Sequence, residues 1–206
     1  MMKEVSPRRC RGVRPGERLT NCAGDRLYNG FTLIELVLVV GIITVLSALV
    51  LSTVGYARKK GALARAETEI AAISAACENY KADNGVYPAN SDTNGLNAQT
   101  SVDPSGYQAA SLYLYNALFG ATAGSRTPNT GARSYFVFKP NMLFPADQTQ
   151  SVQFIQDPFG NSYGYSTIDN PVANTNPIPG YNPTFDLWST AGGITANDVS
   201  KWIKNW

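Results

Sequence analysis

From residue 31 to residue 51 the chain reads FTLIELVLVVGIITVLSALVL, 21 residues that are apolar on every side of a helix and carry one charge, Glu35. About 20 such residues span the hydrocarbon core of a bilayer. An ionisable side chain inside such a run is costly and marks a functional position. Beyond Leu51 the pattern changes from all-round to striped. Leu63, Ala66, Ile70, Ile73, Cys77 and Tyr80 recur at spacings of three and four, the signature of a helix with one buried face. Arg58, Lys59, Arg65, Glu67, Glu69, Glu78 and Lys81 fall on the other faces. No proline occurs between Pro15 and Pro88, so the two patterns predict a single helix over 31–83, about 80 Å long. Gly41 and Gly55 are its soft points. Asn84-Gly85 supplies a left-handed cap, and Tyr87-Pro88 forces extended backbone.

The remainder alternates short signals with polar loops. Residues 89–106 read as a surface loop and 107–119 as a short amphipathic helix closed by Gly120. Strands are predicted at 134–138, 151–155 and 184–189, with a further one beginning at Tyr163 and Tyr165. Between them, Asp157-Pro158-Phe159-Gly160-Asn161 is a turn, with Asp-Pro setting its start and Gly-Asn accepting positive φ. The fold class is α+β: a long N-terminal helix packed against a small antiparallel sheet.

Charge divides the chain. Residues 1–30 hold seven basic and three acidic groups, whereas the remainder holds ten and twelve. A basic, Gly- and Pro-containing head before an apolar run has the character of a targeting leader. The small residue Gly30 precedes the run, so cleavage there leaves the apolar segment in the mature chain. This suggests three parts: a leader at 1–30, a long helix at 31–83 with a membrane span at 31–51, and a globular domain at 84–206. Local charge does not orient the span, because 11–30 and 52–71 each hold four basic groups. Histidine is absent, which removes Ser-His-Asp and Cys-His catalysis and His-ligated metal sites. Cys10 and Cys22 lie in the leader, leaving Cys77 as a small buried hydrophobe on the stripe.

Gly30-Phe31-Thr32-Leu33-Ile34-Glu35 followed by the apolar run resembles the processing site of type IV pilins and type II secretion pseudopilins. The resemblance implies that a prepilin peptidase cuts between Gly30 and Phe31 and methylates the new terminus. It implies that Glu35 neutralises the Phe31 amine of a neighbouring subunit during polymerisation. It further implies a single-pass inner-membrane protein with a periplasmic C-terminal domain. Residues 80–88 (YKADNGVYP), 156–165 (QDPFGNSYGY) and 185–202 are similar to the helix exit, turn and tail of the major (G-type) pseudopilins. The expected partners are therefore copies of the same chain, the peptidase, other pseudopilins, the inner-membrane secretion platform and membrane lipid before assembly. A type IV pilin for adhesion, motility or DNA uptake is the alternative. For 84–206, five basic against seven acidic groups argue against a broad nucleic-acid surface.

The tail of the major pseudopilins binds calcium. Onto this chain the resemblance carries Ser189, Asn197 and Asp198 as ligands, without the acidic residue usual in the 191–193 loop. The competing expectation is a loop closed by side-chain hydrogen bonds, with Trp202 as a hydrophobic plug. No Ser-Lys or Asp-based catalytic motif is evident, so an enzyme is not expected. Tyr107, Tyr181 and Trp188 are candidate sugar-stacking aromatics, against the commoner use of such residues in packing.

Overall fold

The structure, a computed structural model, describes residues 30–206. Apart from Gly30, the expected leader lies outside the described residues. The described chain belongs to two compact units, one ending at Ala48 and the other running from Leu49 to Trp206. Helix α1, Leu33–Asn84, contributes to both. It runs unbroken through Gly41 and Gly55 and ends at Gly85, whose φ of +78° is the left-handed cap expected from the sequence.

The second unit is α+β. Its elements after α1 are the short helix α2 (Ser91–Gly95), α3 (Gln108–Phe119), and five short strands: β1 (Leu143–Phe144), β2 (Phe154–Ile155), β3 (Gly164–Ser166), β4 (Asp186–Ser189) and β5 (Ile203–Lys204). The strands form two antiparallel sheets, β1-β2 and β3-β4-β5. Leu143 pairs with Ile155 in the first, and Tyr165 pairs with Leu187 in the second.

The stripe on α1 builds the larger core. Ile70, Ile73 and Cys77 pack with Leu114 and Leu118 of α3, Ile155 of β2, and Tyr163, Tyr165 and Leu187 around β3 and β4. Leu63 and Tyr80, at the ends of the stripe, are half-buried. Burial pushes the Cys77 thiol well above its usual range, which keeps it an inert neutral group. β4 is buried along its whole length. Successive strand side chains point to opposite faces, so Leu187 joins the α1 core. Trp188 joins a second cluster of Leu96, Tyr107, Ala110 and Trp202. Gly164 sits opposite Trp188; a Cβ there would lie 2.1 Å from the indole ring.

Four expectations change. Residues 89–106 are not wholly loop: α2 forms within them, capped by Asn90, whose side chain accepts from Asp92 N and Thr93 N. The strand predicted at 134–138 does not form. This segment is instead a strap along α1, held at one end by an Arg133–Asp83 ion pair of 2.6 Å and at the other by Arg65 donating to the Asn141 carbonyl at 3.2 Å. Its backbone donors at Tyr135 and Phe136 both go to the Leu118 carbonyl at the end of α3. Its aromatic, extended sequence thus serves packing against a helix, with no ladder. Glu69, expected on a solvent face, is buried: it accepts from Arg65 Nε at 2.6 Å and from the Tyr163 hydroxyl at 2.7 Å. Finally, Tyr107 and Trp188 are fully buried against each other, with centroids 5.1 Å apart, so neither presents a face to a sugar. Tyr181 is exposed and stacks on Trp206 at 4.5 Å.

Candidate functional site

The entrance of α1 is organised by two side chains. Thr32 precedes the first helical residue, Leu33, and Glu35 is the third. The Thr32 hydroxyl accepts from Glu35 N at 3.3 Å, and Glu35 Oε2 accepts from Thr32 N at 2.9 Å. This reciprocal pair is a capping box, which satisfies backbone donors that the first turn of a helix leaves open. The Thr32 hydroxyl also donates to Glu35 Oε2 at 2.8 Å. Glu35 is therefore oriented back toward the chain entrance. The Thr-x-x-Glu spacing is itself a sequence signature of a helix start, yet it is masked by the more conspicuous apolar run.

Gly30 is exposed, and a Cβ built on it would meet nothing within 4 Å. Among the described residues, nothing places a steric demand for glycine at that position. Phe31 is 86 % exposed, and every residue from 30 to 51 lies open. The most apolar 18-residue window of α1 has a mean hydropathy of 2.8, and none of it is buried. By length and composition α1 is able to cross a membrane. Large exposed apolar surfaces of this kind call for lipid or a partner.

Residues 25–51 match the family model described as the prokaryotic N-terminal methylation motif. The match covers the approach to Gly30 and the whole apolar run, and nothing beyond Leu51. It is the prepilin signal of type IV pilin-like proteins, which are processed by a peptidase and polymerise. No curated protein and no solved structure matches the chain.

At the other end of the chain, two of the three residues carried over as calcium ligands, Ser189 and Asp198, are engaged by protein groups. The Ser189 hydroxyl is buried, donates to Asp157 Oδ2 at 2.6 Å and accepts from Ala191 N at 3.1 Å. Asp198 accepts from the Thr195 hydroxyl at 2.6 Å and from the Lys201 ammonium at 2.8 Å, which together hold its carboxyl down at about 2. Asn197 lies exposed in the 3-10 turn Ala196–Lys201. Calcium takes six to eight oxygens. Among the described residues no cluster of three or more His, Cys, Asp or Glu offers a metal site. The arrangement has Ser189 and Asp198 committing their oxygens to protein partners. It fits a loop closed by its own side chains, over which Trp202 is buried and stacked on Trp188 at 5.9 Å.

Sequence reasoning missed the group that anchors this loop from below. Asp157 is buried and accepts from Phe159 N and Asn161 N, both at 2.9 Å, as well as from Ser189. Burial outweighs these hydrogen bonds and raises its carboxyl above the usual range. The Asp-Pro turn was legible; that its carboxylate reaches across to β4 was not, because the partner is 32 residues away.

Proposed function

We propose that the chain is a pseudopilin of a type II secretion system, most like the major subunit. In this reading it is cut between Gly30 and Phe31, held in the inner membrane by residues 31–51, and assembled through α1 into a pseudopilus. Its partners are then further copies of itself, the prepilin peptidase, other pseudopilins and the secretion platform, and its role is structural, without catalysis. One observation carries the reading: the prepilin motif sits at the mouth of a wholly uncovered apolar helix. That no described residue makes a packing demand at Gly30 supports a glycine kept for recognition by a processing enzyme. The Tyr-Pro exit and the Asp157 turn support the pseudopilus over an adhesive pilus, as does the single cysteine beyond the leader, which leaves no intrachain disulfide.

Glu35 then has two successive roles. In the free subunit it closes the capping box with Thr32. In the filament it neutralises the N-terminal amine of a neighbour, a pairing favoured where both charges leave water together. The test is deletion of the gene, with secretion and surface motility both assayed, followed by complementation. The reading expects lost secretion with motility intact. Glu35→Ala should be processed normally yet fail to restore secretion. Lost motility with normal secretion would instead assign the chain to a type IV pilus.

A further inference from the structure

Seven residues beyond the apolar run, α1 carries Arg58, Lys59 and Lys60 in succession, preceded by Tyr56. All four are exposed. None of the three cations forms an ion pair among the described residues, and Lys60 rests only over the Tyr56 ring at 5.9 Å. Arg65, farther along, is by contrast paired with Glu69 and donates to the Asn141 carbonyl. Positive charge is concentrated at this point of the mature chain. Residues 52–66 hold four basic groups and no acid, whereas 67–206 hold six basic and eleven acidic ones.

We propose that Arg58, Lys59 and Lys60 form a collar that binds the anionic phosphate headgroups of the bilayer while residues 31–51 occupy its core. This rests on the reading of 31–51 as a membrane span. Three observations select lipid. The first is depth. At about 1.5 Å per residue the collar lies roughly 10–14 Å past Leu51. That is a few ångströms beyond a headgroup layer about 5–8 Å thick, a distance that Lys and Arg side chains bending back toward the membrane span. The second is Tyr56, which falls about 7 Å past Leu51, where interfacial aromatics gather. The third is shape. Consecutive helical residues point about 100° apart, so the three cations face different directions around the helix. Charge spread over about 200° of the helix suits a surface that the helix pierces, whereas the acidic patch of a second copy would meet only one side of it. Such a copy also has fewer acids to offer, because Glu69, Asp157 and Asp186 are buried.

The test uses the full-length chain in nanodiscs of neutral phosphatidylcholine or of phosphatidylcholine with about a third phosphatidylglycerol. Lysine acylation is followed residue by residue by mass spectrometry, with exposed Lys204 as internal reference. Lys59 and Lys60 should react about five-fold more slowly in the anionic discs, and about 0.5 M salt should remove the difference. Equal rates in the two lipids would overturn the proposal. So would protection in neutral discs that grows with the number of chains per disc, since a second copy would then be the occupant. Failure of the chain to comigrate with discs would refute the membrane reading itself, and the collar with it. That outcome is visible before any labelling.

Discussion

Two stretches of α1 present opposite solutions to one problem. Residues 31–51 are apolar all round and wholly uncovered, whereas 63–80 carry one apolar stripe and bury it in the chain's own core. A stripe is satisfied by one neighbouring layer. An all-round apolar surface needs surroundings that are apolar on every side, which only lipid or a ring of other helices supplies. The difference teaches where the stability of the domain resides, and which part of the helix is reserved for something outside the molecule.

The most direct way to break this comparison is to truncate one residue from each stretch. Ile73→Ala should cost about 2–5 kcal/mol of domain stability in urea melts of the full chain in detergent, because Ile73 is fully buried. Ile43→Ala, in the open stretch, should leave the melt unmoved. Equal effects would mean that the uncovered stretch supports the domain after all. Next in size is Gly164→Ala, whose new methyl group would meet the Trp188 ring. A loss of about 1–3 kcal/mol is expected, read by the same melts together with a change in tryptophan fluorescence. Tyr163→Phe removes one of the two donors to buried Glu69 and should cost about 1–3 kcal/mol. An unchanged melt would show that Glu69 finds water instead.

A smaller effect depends on pH. Burial raises the Asp157 carboxyl in the folded state above its ordinary value of 3.8. The folded chain therefore holds this proton more tightly than the unfolded one. The resulting contribution to stability is full below the ordinary value and is lost as pH rises through the folded value. Asp157→Asn keeps the acceptor for Phe159 N and Asn161 N and removes the titration. The stability difference between wild type and variant should thus change in the variant's favour as pH rises from below the ordinary carboxylate value through the raised, folded one; a flat difference would contradict the raised carboxyl. The smallest expected effect is that of calcium. With Asp198 and Ser189 already engaged, millimolar calcium should not shift the melting temperature, and a clear rise would restore the ligand reading of Ser189, Asn197 and Asp198.

Much of this was legible in the chain because it is local or periodic. The stripe on α1 follows from spacings of three and four, and the Gly85 and Gly120 caps from glycine after a periodic run. The burial of Trp202 over its loop was likewise expected as a hydrophobic plug. What escaped is what depends on distant partners. β1 and β5 are two residues long, too short to leave a pattern. Glu69 reads as surface on a helical wheel and is drawn inside by the Tyr163 hydroxyl, 94 residues away. The 134–138 segment has the composition of a strand, but the backbone partner nearest it is the end of a helix. At the candidate site the apolar run and its prepilin-type motif were readable over 25–51, while the hold of Thr32 on Glu35 required the geometry.

The central claim is that residues 31–51 are a prepilin segment kept in the mature protein and opened at Gly30. Mass spectrometry of the protein purified from its native membrane measures this directly. The account predicts a mature chain beginning at N-methylated Phe31, and the same chain left unprocessed when the prepilin peptidase is absent. A mature protein that retains residues 1–30, or that begins after the apolar run, would contradict it.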